Sequence, residues 1–103
     1  MYVRGGYNVY PIEVERRLAE HPDISEVAVV AIEDDMWGEI GIAVIVPVGN
    51  GPTLDDVRSW VTDELARYKA PERLVVLDAM PLTAVGKIDR RALATRAAKA
   101  DDR

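Results

Sequence analysis

The residues best suited to chemistry lie near the C-terminal end, in Pro81-Leu82-Thr83-Ala84-Val85-Gly86-Lys87-Ile88-Asp89-Arg90-Arg91-Ala92-Leu93. One lysine stands behind a glycine, in a turn just before a helix. Gly86 accepts backbone angles that a side chain forbids, so Lys87 can be presented at a sharp turn. An ammonium is a compact charge on a flexible stem with three donors, suited to an oxyanion or a phosphate. An isolated Gly-Lys is ordinarily a solvated surface pair, since lysine is mostly exposed. The functional reading therefore has to come from the rest of the chain.

Other constellations carry less. No Gly-x-x-x-x-Gly-Lys-Ser/Thr loop is present, and Gly5-Gly6 does not form a dinucleotide fingerprint. A Ser/His/Asp triad would have to use His21, the sole histidine, which sits before Pro22 at a helix end and reads as a surface residue. Asp34-Asp35 in a loop and Asp55-Asp56 at a helix start are explained by solvation and the helix dipole, so no metal site is assigned.

These residues need a scaffold. A chain of 103 residues makes a single domain, residues 1–103. Its 49% hydrophobic and 30% charged content is that of an ordinary soluble domain. No apolar run approaches the ~20 residues of a membrane helix, so no transmembrane segment is expected. Met1 to Tyr10 lacks the apolar stretch of a signal peptide. The absence of cysteine removes disulfides and thiolate metal sites, and fits a cytoplasmic location. A net charge of −5 argues against a general nucleic-acid binder. Lys87, Arg90, Arg91, Arg96 and Lys99 nevertheless cluster late, after Arg67, Lys69 and Arg73. A local positive face suits a small phosphorylated ligand or an acidic partner, or is simply a solvated helix face.

The spacing predicts an extended segment from Met1 to Asn8, then a helix opened by Pro11 and ended at His21-Pro22. Val14 and Leu18 share one face of that helix, and Glu13 and Glu15 suit its dipole. Val27 to Ile32 (VAVVAI) and Ile40 to Val48 (IGIAVIVPV) read as strands. Between them Glu33 to Glu39 reads as a polar loop carrying Trp37. Gly41 and Pro47 suggest a bulge or close approach and an edge-like end. Thr53, with Asp56 three residues on, caps an amphipathic helix over 53–66, in which Trp60 reads as packing. Tyr68-Lys69-Ala70-Pro71 breaks it. Leu74 to Leu77 is a third strand, Ala79 to Lys87 a loop, and Asp89 caps a helix from Arg90 to about Ala98. Ala100 to Arg103 should fray. The expected fold is α+β, a small sheet of about three strands with a central antiparallel hairpin and helices packed on it.

Three segments then point the same way: Gly5-Gly6-Tyr7-Asn8-Val9-Tyr10-Pro11-Ile12-Glu13-Val14-Glu15; Trp37-Gly38-Glu39 followed by Arg67-Tyr68-Lys69-Ala70-Pro71; and Pro81 to Leu93. Their wording and order resemble the C-terminal domain of the adenylate-forming superfamily, which includes acyl-CoA synthetases, luciferases and the adenylation domains of peptide synthetases. The resemblance spans essentially the whole chain, and the GGYNVYPIEVE and WGE wording looks most like acyl-CoA ligases.

The resemblance implies a two-step reaction. A small-molecule carboxylic acid attacks the α-phosphate of Mg-bound ATP to give acyl-AMP, and the thiol of coenzyme A then displaces AMP. It implies that this chain swings on its own large N-terminal domain, which would hold ATP and the acid and would lie outside the chain. Alone, the chain would be inactive. Lys87 matches the adenylation lysine. Gly5, Gly6 and Tyr7 match the segment lining the pantetheine channel. Trp37 and Tyr68 match positions that hold the CoA adenine in some relatives, with a turn or half-buried aromatics as the plainer readings. Ala70 departs from relatives with a basic residue for the CoA nucleotide phosphate, so Lys69, Arg67 or Arg73 would have to substitute. Two rival readings are an adenylation-domain fragment loading a carrier protein and a non-catalytic docking or regulatory module.

Overall fold

A computed structural model describes residues 1–100. Two short strands, β1 (Tyr2–Arg4) and β2 (Tyr7–Val9), precede helix α1 (Pro11–Ala19). A long hairpin follows, β3 (Ile24–Asp34) and β4 (Gly38–Pro47), then helix α2 (Leu54–Thr62), a 3-10 turn (Arg67–Lys69), strand β5 (Arg73–Val76) and helix α3 (Arg90–Ala100). Among these, no helix is long and apolar enough to cross a membrane.

The fold is α+β, with the central antiparallel hairpin that the two apolar runs imply. β3 and β4 pair from Ile24↔Pro47 to Asp34↔Gly38. β5 lies parallel to β4, which requires the crossover through α2. The sheet has five strands rather than three, because the Gly5-Gly6 segment folds into its own hairpin. That hairpin joins the main sheet at Arg4↔Gly38. Three-residue strands flanking two glycines carry no alternating pattern, so they read as merely extended.

Both faces of β3 and β4 are covered, which is why their sequences are nearly continuous apolar runs. On one face Val14 and Leu18 of α1 and Val57 and Val61 of α2 pack with Val29, Ala43, Ile45, Tyr2 and Val9. On the other, Leu93 and Ala97 of α3 pack with Ala28, Val30, Ile42 and Val44. Each fully buried aliphatic side chain contributes about 1.5–3 kcal/mol, so the two helical layers hold the sheet between them.

Several boundaries moved. The predicted loop Glu33 to Glu39 shrinks to Asp35–Trp37, because Asp34 turns the chain itself. Its Oδ2 accepts the Met36 and Trp37 amides at 3.0 and 2.9 Å. Helix α2 stops at Thr62 instead of residue 66, while its cap is the expected reciprocal one between Thr53 and Asp56. Pro47 faces a strand irregularity between Ile24 and Glu26. Gly41 marks a close approach, since a Cβ there would collide with the Tyr2 hydroxyl and ring. Burial of Tyr2 pushes its phenol up to about 12. Helix α3 reaches Ala100; the rest of the predicted frayed end, residues 101–103, lies outside the described residues.

Candidate active-site surfaces

Lys87 leaves the body on a closed loop. Leu82 and Ile88 form an isolated antiparallel bridge. The Thr83 amide donates to Lys87 O at 2.7 Å, Gly86 N to Thr83 O at 2.9 Å, and Asp89 N to Pro81 O at 2.8 Å. Gly86 has φ +83°, a left-handed angle that suits glycine, and so completes the turn. Asp89 Oδ1 accepts the Ala92 amide at 3.0 Å and caps α3 as predicted. Ile88 packs against the α3-side core, so the loop is rooted beside an exposed lysine. The Lys87 ammonium has no ion-pair or hydrogen-bond partner among the described residues. A cation so placed is available to a ligand outside the domain.

The other candidates gather around the first hairpin, on the opposite layer. Gly5 and Gly6 both adopt left-handed angles, φ 55° and 88°. Gly5 N donates to Trp37 O at 2.7 Å, and the Trp37 ring lies so close that a Cβ on Gly5 would sit 2.9 Å from its Cε3. Arg4 covers Trp37 with its guanidinium 4.1 Å from the ring centroid, and its Nε is bound to Glu72 at 2.6 Å. Tyr7 stacks on Tyr68, centroids 4.6 Å apart. Gly5, Gly6, Tyr7, Trp37 and Tyr68 thus form one neighbourhood. Tyr7 is the exposed ring of the tyrosine pair, at 58%.

Lys69 belongs to the same turn, yet its ammonium lies 2.7 Å from Glu13. That carboxylate holds Lys69 above the usual lysine range. Glu13 therefore has a specific partner beyond the helix dipole that its position suggested. Arg67, at the start of the turn, is exposed. Ala70 is 1% exposed and part of the core, so a long basic side chain could not be accommodated there without repacking. Arg4 and Glu72 were missed in the sequence because they meet across 68 residues with no local signal. Trp60 packs as predicted, donating its indole N–H to Arg17 O at 2.8 Å. His21 is likewise structural, its Nδ1 accepting the Asp23 amide at 3.0 Å.

Two hollows border these surfaces. One, of about 500 Å³, is lined by Gly6 and Trp37 together with Glu33, Asp34, Asp35 and Glu39. Its acidic rim disfavours an anionic ligand there. The other, of about 460 Å³, is lined by Met1, Tyr10, Pro11, Ile12 and Arg90. Among the described residues, no group of three or more acidic or histidine side chains is arranged to hold a metal ion.

The family of AMP-binding enzyme C-terminal domains matches residues 13–87. The chain belongs to this family. It is 49% identical over 90 residues to the Indoleacetate--CoA ligase of Aromatoleum aromaticum, covering 85% of the chain and 18% of that protein. It is 39% identical over 104 residues to a Medium/long-chain-fatty-acid--CoA ligase of Mycobacterium tuberculosis, covering 93% and 18%. The fold superposes on a Mycobacterium tuberculosis fatty acyl CoA synthetase with a TM-score of 0.89 at 35% identity, over 97% of this chain and 20% of that one. The domain thus spans about a fifth of the length of the ligases it matches, and both the Gly86-Lys87 turn and the helix after Pro11 lie in or beside the matched stretch.

Proposed function

We propose that the domain is the mobile C-terminal part of an AMP-forming acyl-CoA ligase. It brings Lys87 to the adenylation step and the Gly5–Tyr7 hairpin to the thioester step. The observation that carries this reading is the Lys87 ammonium, without a partner among the described residues, on a pinned, exposed loop, in a chain similar over 85% of its length to an acid--CoA ligase.

In the first step two anions must approach each other. Lys87 bridges the substrate carboxylate and the α-phosphate of ATP, then donates hydrogen bonds to the phosphoryl oxygens as charge builds on them. The carboxylate oxygen bonds to phosphorus and pyrophosphate leaves. The nucleotide, its magnesium and the acid are held by a large domain outside this chain. In the second step the coenzyme A thiolate attacks the acyl carbon and AMP departs. Gly6 has nothing within 4 Å of a virtual Cβ, so backbone and ligand can meet closely there. The exposed Tyr7 ring, backed by Tyr68, offers a stacking surface for the adenine, worth about 1–3 kcal/mol per base, whereas Trp37 borders the acidic hollow and already carries the Arg4 guanidinium. With Lys69 held by Glu13, Arg67 is the cation this turn turns outward to the nucleotide phosphates.

The test is Lys87→Ala in the ligase formed with the large domain. Acyl-AMP formation, read as pyrophosphate release, should fall about 10²–10³-fold. Thioester formation from supplied acyl-AMP should continue. Equal damage to both half-reactions would overturn the role of Lys87.

A further inference from the structure

The sheet ends at β3, and an edge strand leaves backbone groups unpaired. At Val29 this edge is closed by two side chains in place of a strand. Glu15 Oε2 accepts the Val29 N–H at 2.7 Å, and Arg90 Nη1 donates to Val29 O at 3.4 Å. The two side chains also lock to each other as a fork, Nη1 to Oε2 at 2.9 Å and Nη2 to Oε1 at 3.0 Å. Glu15 comes from α1 on one layer and Arg90 from the first turn of α3 on the other, so they meet around the rim of the sheet. Glu15 is well covered, its side chain 14% exposed. A bidentate pair fixes orientation as well as distance.

We propose that Glu15 is a positioning residue for Lys87, acting through Arg90. The proposal rests on the adenylation role of Lys87 set out above. Arg90 is the first residue of α3 and lies three residues beyond Lys87. The loop bearing Lys87 closes on Asp89, the neighbour of Arg90, through Asp89 N to Pro81 O. With Arg90 clamped to α1 and β3, the loop leaves the body at a fixed point. Without the clamp, the loop retains the packing of Ile88 and Leu93 but loses its tie to the sheet edge. A displacement of this kind misplaces the ammonium without unfolding the domain, and misplacement of about 1 Å costs about 10²-fold in rate.

The experiment uses Glu15→Gln and Arg90→Lys in the ligase formed with the large domain, beside Lys87→Ala. Each variant should lower kcat for acyl-AMP formation about 10- to 100-fold, with KM for ATP and acid unchanged and thioester formation from supplied acyl-AMP intact. In a Lys87→Ala background Glu15→Gln should add no further loss. Amide hydrogen exchange should quicken at Gly86 and Asp89 but not at Val44 in the core. Unchanged kcat in both variants while Lys87→Ala is crippled would overturn the clamp and leave the lysine's role standing. A silent Lys87→Ala would sink the lysine's role and the proposal with it. Loop and core amides quickening in step, with both half-reactions damaged, would make the pair a plain structural tie and also overturn the proposal.

Discussion

Gly5 and Gly6 offer a controlled comparison, because they share a backbone problem and differ in surroundings. Both have left-handed angles, φ 55° and 88°, so alanine at either position costs about 1–2 kcal/mol in backbone strain. At Gly6 the new methyl meets nothing within 4 Å. At Gly5 it would lie 2.9 Å from Trp37 Cε3 and 3.2 Å from Cζ3, so the indole must shift. That shift breaks the stack with Arg4, 4.1 Å away, a contact worth about 0.5–1 kcal/mol at an exposed site. Gly5→Ala should therefore exceed Gly6→Ala by about that amount, or about 2–8 °C in melting temperature for a domain of this size. Thermal unfolding by circular dichroism measures the gap. The indole N–H resonance of Trp37 reports the cause, moving in Gly5→Ala and staying in Gly6→Ala. Equal melting temperatures, or a Trp37 signal indifferent to Gly5→Ala, would refute the contact as the source of the difference.

Gly41→Ala should be destabilising by about 1–3 kcal/mol through overpacking, since its methyl meets the Tyr2 ring in the core; adding Tyr2→Phe removes the nearest colliding atom and should restore part of the loss on denaturant titration. The Thr53 backbone and hydroxyl hold the Asp56 carboxyl below its ordinary 3.8, so its contribution is present above that pH and is lost as pH falls through the lower, folded value. The stability gap between wild type and Asp56→Asn should accordingly be constant at neutral pH and close only in acid, in melts taken across that range. Lys69 runs the opposite way. Glu13 raises it from 10.5, so the pair should stabilise at neutral pH and lose its effect in alkali, and Glu13→Gln should abolish that alkaline dependence.

The core hairpin, the three helices and the cap at Thr53 were legible because each leaves a local record. The runs VAVVAI and IGIAVIV can be buried on both faces, and Thr53 with Asp56 meets the geometry of a reciprocal cap. The same holds for the turn that carries Lys87, which is closed within residues 81–89. What escaped the sequence is long-range. The first hairpin pairs within itself, but its place in the main sheet rests on Arg4↔Gly38, between segments with no shared pattern. The partners of Glu13 and Glu15 could not be found by spacing, since Lys69 and Arg90 approach only after the sheet and helices are assembled. A carboxylate in the first turns of a helix is explained equally well by the dipole, so nothing in α1 asks for a further partner.

The placement of the two candidate surfaces constrains how the domain can work within the proposed reaction. The glycine hairpin is rooted through Tyr2 and Val9 in the core layer beneath α1 and α2. The Lys87 loop is rooted through Ile88 and Leu93 in the layer of α3. Both are fastened to the same β3–β4 hairpin, which pairs over its full length. Close-packed layers of this kind move as a unit. Flexing the loop or the hairpin alone leaves each surface on its own side of the sheet. If both are to serve one reacting carbonyl, the whole domain must turn between the two half-reactions. A tether that prevents rotation should therefore stop the reaction after one half-step, with the surviving step set by the orientation in which the domain is held.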